Sequence, residues 1–378
     1  MAERSNKRDL NMEMLAKEWY KDLQILEEKP FTEEERLQAA NEPVLAWFSK
    51  HARILPWREN PEAYRVWISE IMLQQTRVEA VKPYYERFLK ACPTPKELAE
   101  IEDDRLMKLW EGLGYYNRAR NLKKAAAIIC EEYGGKLPDR YEELLTLPGI
   151  GSYTAGAIAS IAYGRVKPAV DGNVLRVISR VLLNREDILK SSVKRSMEAL
   201  LEKTMPKDHS GDYNQALMEI GAMVCLPNGK PRCEECPFAS LCLAHREHVE
   251  QEIPVKKPKK ARKQEERTVL VIENADSVSL RKRPATGLLA GLYELPNFEG
   301  KWKKEEIVSI LGLNPEEVES VEKLPDAKHI FSHVEWRMMG YLVKIKGELP
   351  KQFLSINKQC LETEYSLPSA FGAYRKWV

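Results

Sequence analysis

Four cysteines fall within eighteen residues, Cys225, Cys233, Cys236 and Cys242, in the pattern C-x7-C-x2-C-x5-C. Four thiolates so spaced can close around one metal centre. The C-x2-C pair supplies two ligands from one turn, and Pro227, Pro231 and Pro237 stiffen the loops between. A structural zinc takes four thiolates, and so does an iron–sulfur cluster; spacing alone slightly favours zinc. Cys92, Cys130 and Cys360 are isolated and read as packing thiols. A second group is Gly149, Gly151 and Ser152 in the run LPGIGSYTAGA. Its glycines allow a tight turn with exposed amides, and Ser152 can cap the helix that follows. Such amides bind an anion, which in a DNA-binding protein is a backbone phosphate; an ordinary helix–turn–helix corner is the competing reading of the segment. Two carboxylates complete the set. Asp171 follows a Gly/Pro loop, and Glu70 sits among Trp67, Ile68, Ile71 and Met72, apolar neighbours that argue against a solvated face.

The elements that must hold these residues are helical from Glu42 to about Arg246, where apolar positions recur at three- and four-residue steps. Helical patterns flank the hairpin over 139–146 and 152–163. Residues 1–41 form an acidic, helix-prone extension: residues 1–42 hold 7 basic and 11 acidic residues, a balance of −4 against +2 for the whole chain. Residues 248–267 are polar, and Val255–Lys263 carries six basic residues in nine, which reads as a linker. From 268 to 378 the period changes: 268–272 and 339–345 read as strands and Glu305–Leu311 as a short helix, an α+β domain. The 378 residues are thus expected as an extension (1–41), a helical domain (42–247), a basic linker (248–267) and an α+β domain (268–378). With 43% hydrophobic and 31% charged residues, no apolar run long enough for a membrane span and no apolar core in the charged N-terminus, the chain is expected to be soluble and cytoplasmic. In that reducing setting clustered cysteines favour metal over disulfides.

The order of hairpin, Gly/Pro loop and Asp171 is similar to that of the helix–hairpin–helix–GPD superfamily of base-excision DNA glycosylases, over about Trp47 to Cys242. The resemblance implies that the four cysteines hold a 4Fe–4S cluster, which reverses the preference for zinc. The first gap is seven residues where six is usual there, lengthening the loop with Lys230 and Arg232. Bifunctional members of the endonuclease III type place a Schiff-base lysine two residues after the second hairpin glycine. Here that position is Tyr153, which resembles the adenine-removing MutY type and implies base removal without strand cleavage. Leu55-Pro-Trp57-Arg58, the run from Trp67 through Glu70 to Gln75-Thr76, and Gly112-Leu-Gly-Tyr115 are similar to segments of that type.

The resemblance implies roles. Glu70 would protonate adenine N7 in a pocket walled by Trp57 and Met72, and Asp171 would stay ionised beside C1′, the two-carboxylate logic of glycosidases. Asn173 and Tyr153 would orient the pair. Leu55, Thr76, Arg58 and Gln215 would meet the flipped adenine or its phosphate, and Gln75 and Tyr115 would wedge the opened stack. Gly287-Leu-Leu-Ala-Gly-Leu-Tyr-Glu294 resembles the start of a Nudix-type, MutT-like domain, but the paired metal-binding glutamates are missing, so pyrophosphate hydrolysis is disfavoured. Phe331-Ser332-His333 matches the loop with which MutY proteins recognise 8-oxoguanine. The expected partner is duplex DNA with adenine opposite 8-oxoguanine or guanine, met by a monomer at a bacterial-type nucleoid. A thymine or uracil mismatch glycosylase and a non-catalytic lesion-binding protein are the competing readings.

Overall fold

The structure, a computed structural model, describes residues 31–257 and 261–378. The expected extension's residues 1–30 and the linker's residues 258–260 lie outside the described residues. Thr32 opens the described chain with a reciprocal cap: Glu35 N–H donates to its hydroxyl at 3.2 Å, and the Glu35 carboxylate accepts the Thr32 amide at 2.9 Å. This starts helix Glu33–Ala39. Leu37 and Ala40, three apart, are fully buried, and Arg36 donates to the Leu241 carbonyl at 2.7 Å. Residues 31–41, expected as part of an appendage, therefore belong to a core, because this one-sided apolar spacing has a face to bury.

Contacts divide the chain into two compact units. The first joins the residues up to Arg53 with Gly164–Lys256. Its core gathers Leu37, Val44, Val174, Ile178, Leu217 and Phe238, from helices Glu33–Ala39, Asn41–His51, Gly172–Val181 and Ser210–Met223 and the cysteine loop.

The second unit joins Ile54–Tyr163 with Lys257–Val378. Its helical part includes Ala63–Leu73, Val78–Ala91 and Asn117–Glu132, packed on buried Trp67, Phe88 and Trp110. The second hairpin helix is shorter than its apolar pattern: Ser152–Ala157 is α-helical and Ile158–Ala162 is π-helical. The Ser160 hydroxyl bonds back to the Gly156 carbonyl at 2.7 Å, offering that carbonyl a partner outside the regular ladder.

The α+β part is a seven-stranded mixed sheet: β1 (Lys263–Glu273), β2 (Ser277–Lys282), β3 (Tyr293–Glu294), β4 (Asn297–Glu299), β5 (Val318–Ile330), β6 (Val334–Ile345) and β7 (Leu354–Asn357). The order is β3-β2-β1-β6-β5, with β4 on β1 and β7 on β2. β1 runs parallel to β6 from Lys263 opposite Val334 to Glu273 opposite Lys344. The strand thus starts inside the segment expected as linker; the β6 backbone holds the polar residues Lys263–Arg267, which have no apolar run to announce them. The expected short helix lies at Lys304–Ile310.

Candidate active site

Asp171 is the N-cap of helix Gly172–Val181. One carboxylate oxygen accepts the Asn173 and Val174 amides at 2.9 and 2.8 Å, and the other accepts the Asn173 side-chain amide at 2.9 Å. Burial pushes its carboxyl above the ordinary range, against the lowering pull of these hydrogen bonds and of the Arg176 charge. Arg176 continues the chain of contacts, donating to Asn173 Oδ1 at 2.9 Å, to the Gly221 carbonyl at 2.7 Å and to the Cys225 carbonyl at 2.8 Å. The first unit thereby links Asp171 to the start of the cysteine loop through two side chains. Sequence reading missed Arg176; its position three residues after Asn173 on one helix is the signal that could have found it.

Gly221 fits only as glycine, since a Cβ would lie 2.5 Å from Asn173 Cβ. Asn214 holds the loop before Asp171, accepting the Ala169 amide at 2.9 Å and donating to the Lys167 carbonyl at 2.8 Å. Its neighbour Gln215 is part-buried and donates to Gly211 O at 3.4 Å.

Cys225, Cys233, Cys236 and Cys242 line one pocket with Arg180, Phe238, His245 and Glu250. Burial pushes the Cys233 and Cys236 thiols up to about 12 and Cys242 up to about 11, with mutual thiolate repulsion adding to each. Arg180 Nη1 lies 3.2 Å from Cys225 Sγ. Among the described residues, the group of three ligand-type side chains with donor atoms all within 4.8 Å of one another is Cys233, His245 and Glu250. His245 and Glu250 had not been anticipated. Lys230 and Arg232, in the lengthened loop, are exposed.

In the second unit Glu70 is 5% exposed on helix Ala63–Leu73 and accepts a short hydrogen bond from the Tyr153 hydroxyl. Trp57, Met72 and Leu55 are buried in the same core and Arg58 is half-buried. Of the two hairpin glycines, Gly149 is the one whose residue type the turn requires. Gly149 has φ +81°, and a Cβ there would meet Asn121 Cβ at 2.7 Å. The cap position falls on Gly151, with no side-chain cap, and Ser152 is the first helical residue. This corrects the capping role expected for Ser152: the turn ends one residue earlier, on a glycine that has no side chain to cap with.

Gln75 and Tyr115 share a backbone peculiarity: both are non-glycine residues in the left-handed region, at φ +58° and +48°. Thr76 follows Gln75, its hydroxyl 3.4 Å from the Gln74 carbonyl. Tyr115 is 50% exposed at a cleft of about 670 Å³ whose other wall carries Phe331, Ser332 and His333. Its hydroxyl stands 3.5 Å from Ser332 Oγ. Phe331 is stacked edge-on between His329 at 4.6 Å and Trp336 at 4.9 Å, while Ser332 and His333 are exposed. The sheet is docked on the helices by polar contacts: Asp104 accepts from Lys282 at 3.0 Å and from the Tyr293 hydroxyl at 2.9 Å, and Glu111 accepts the Leu367 amide at 3.0 Å. Glu294 is 1% exposed and ion-paired to Arg281 and Arg283, both at 2.6 Å. A carboxylate neutralised by two guanidiniums has little charge left for a cation, in keeping with the missing Nudix metal residues.

Comparison with known proteins separates the helical region from the sheet. The family described as HhH-GPD superfamily base excision DNA repair protein matches residues 68–203, and the NUDIX domain family matches 268–376. The adenine DNA glycosylase of Homo sapiens is 34% identical over 370 residues, covering 81% of this chain and 67% of that protein. That of Buchnera aphidicola subsp. Acyrthosiphon pisum is also 34% identical, covering 80% and 85%. Among solved structures, endonuclease III trapped as a covalent intermediate on DNA aligns with a TM-score of 0.50 and 25% identity, over 58% of this chain and 100% of that one. A thermostable thymine-DNA glycosylase aligns at 0.50 and 28%, over 56% of this chain and 97% of that one. With a helix–hairpin–helix core, a Nudix-like second domain and relatives of this identity over four-fifths of its length, the chain belongs to the adenine DNA glycosylase family.

Proposed function

We propose that this protein flips adenine out of duplex DNA where it faces 8-oxoguanine or guanine, and hydrolyses its glycosidic bond to leave an abasic site without nicking the strand. The observation that carries the reading is the hydrogen bond from Tyr153 to Glu70. The position that would present a Schiff-base amine in a bifunctional enzyme instead holds a carboxylic acid in place. Glu70 then delivers a proton to adenine N7, making neutral adenine the leaving group. Asp171, fixed by three hydrogen bonds, stabilises positive charge developing at C1′. Water completes the hydrolysis, and no amine bonds to the sugar.

Partner-base selection is assigned to the cleft where Tyr115 faces Phe331, Ser332 and His333. Phe331, braced by His329 and Trp336, supplies a rigid edge, and Ser332 and His333 supply polar atoms that 8-oxoguanine can engage. The likeness to thymine-DNA glycosylase takes in nearly all of that chain but only 56% of this one, so the cleft's second wall speaks for the adenine reading. The Gly149–Gly151 hairpin amides would hold a backbone phosphate.

The four cysteines would hold a 4Fe–4S cluster, which when bound crosslinks the loop that carries them. All four cysteines line one pocket, which supports a single shared centre; the choice of a cluster over zinc rests on the family resemblance.

The test is single-turnover reaction with a duplex holding one 8-oxoguanine:adenine pair, with guanine:thymine as control. The expected product is a break at the adenine position only after alkali. No alkali-labile site overturns the activity; a break without alkali overturns its monofunctional part; preferential reaction of the control restores the thymine reading.

A further inference from the structure

Arg118, at the start of helix Asn117–Glu132, donates to no carboxylate among the described residues. Nη1 donates to the carbonyls of Ile71 at 2.7 Å, Met72 at 3.1 Å and Gln74 at 2.8 Å. Nη2 donates to the carbonyls of Leu113 and Gly114, both at 3.0 Å. The three carbonyls on one side end the helix that leads into Gln75; the two on the other lead into Tyr115. Both following residues are non-glycine and left-handed, a conformation that persists only where the surroundings impose it. The guanidinium also lies 5.3 Å from the Trp110 ring centroid and 5.7 Å from that of Tyr115. Burial lowers its pKa to about 10, which still leaves it charged at neutral pH. A partly buried cation held by carbonyls concentrates its bonding on the backbone of two loops, a geometry that a planar fork satisfies and an ammonium does not.

We propose that Arg118 is a positioning residue that fixes Gln75 and Tyr115 in one frame, so that the two enter the DNA stack as a single wedge. The proposal rests on the proposed glycosylase function and on the wedge role that the family resemblance implies for those two residues. With the frame intact, losing either side chain disables the wedge, and losing the second changes little. With the frame loosened, the two act separately and extrusion of the base falters before any chemistry.

The test uses the full-length protein and a duplex with 2-aminopurine, a fluorescent adenine analogue that brightens on unstacking, opposite 8-oxoguanine. Gln75→Ala and Tyr115→Ala are each expected to cut the fluorescence rise at least threefold. The double variant should fall no further than the weaker single variant, which is strong coupling in a double-mutant cycle. Arg118→Lys should cut the rise at least threefold with its thermal midpoint and visible absorbance retained, and in its background the two alanine effects should become additive. Additive effects in the parent background overturn the proposal, even if Arg118→Lys fails to fold. So does an Arg118→Lys protein that brightens the probe normally, or a parent that leaves it dark. A parent that brightens the probe but leaves adenine uncut refutes the glycosylase reading instead and leaves the wedge frame standing.

Discussion

Asp171 has two jobs, and paired substitutions separate them. As N-cap it satisfies the Asn173 and Val174 amides; as a buried charge it is costly. Asp171→Ala removes the cap, worth about 1 kcal/mol, and leaves two amides competing for water, for a total of about 1–3 kcal/mol. Asp171→Asn keeps a capping oxygen and gives up the acceptor facing the Asn173 side chain, about 1 kcal/mol, offset by removal of a buried charge. The alanine variant should therefore unfold roughly 2–12 °C below the parent, the asparagine variant within a few degrees of it, and both should lack cleavage. The pH dependence has a definite sign. The folded-state pKa of Asp171 is raised, so its contribution to stability is full below the unfolded value near 3.8 and is lost as pH rises through the folded value. Relative to the parent, Asp171→Asn should gain stability between pH 4 and pH 8. Urea unfolding at both pH values, with single-turnover cleavage at pH 7, reads all of this. Equal stability of the two variants would refute the cap argument, a relative stability moving the other way would refute the charge argument, and near-parent cleavage by Asp171→Asn would take the chemistry away from this residue.

Tyr153→Phe removes the donor to Glu70 and should slow single-turnover cleavage about ten- to a hundredfold, the worth of one charge-assisted hydrogen bond; binding of the uncut lesion duplex, measured by anisotropy, should hold within about threefold. Gly149→Ala forces a Cβ onto Asn121 at φ +81°; loss of about 1–3 kcal/mol of stability and weaker, less salt-dependent DNA binding are expected, and unchanged affinity at low salt would contradict the phosphate role. Cys236→Ser should yield protein with diminished absorbance near 400 nm and a lower thermal midpoint, whereas a colourless parent carrying one zinc would overturn the cluster. Phe331→Ala should erode preference for 8-oxoguanine over guanine opposite the adenine, read as the ratio of single-turnover rates, with the guanine substrate nearly unaffected.

The parts legible in the sequence were those encoded by neighbours. Cys233 and Cys236 announce themselves by spacing; Gly149 marks a turn whose φ of +81° favours glycine; Asp171 and Asn173 lie two residues apart and meet on one helix end. Tyr153 and Glu70 are 83 residues apart, and resemblance to a family, rather than periodicity, joined them. Arg118 stayed hidden because its five partners are carbonyls, which every residue owns and no side-chain pattern reveals. The parallel pairing of β1 with β6 was equally silent: Lys263–Arg267 has no apolar alternation, and its strand character comes from a partner some 70 residues on. The π-helical turn at Ile158–Ala162 shares its apolar pattern with an α-helix, so periodicity carried straight through it.

The bond from Arg36 to the Leu241 carbonyl spans 205 residues, and it sets a timetable. At a synthesis rate of about 5–20 residues per second, Arg36 waits about 10–40 s for Leu241 to be made. Helix Ser191–Thr204, against which Glu33–Ala39 packs and whose Lys203 pairs with Glu34 at 3.2 Å, is made before it. A short helix without a core is marginal in water, so burial of Glu33–Ala39 waits on residues some 160 positions further along the chain, and its bond to Leu241 ties the cysteine loop to a helix already placed.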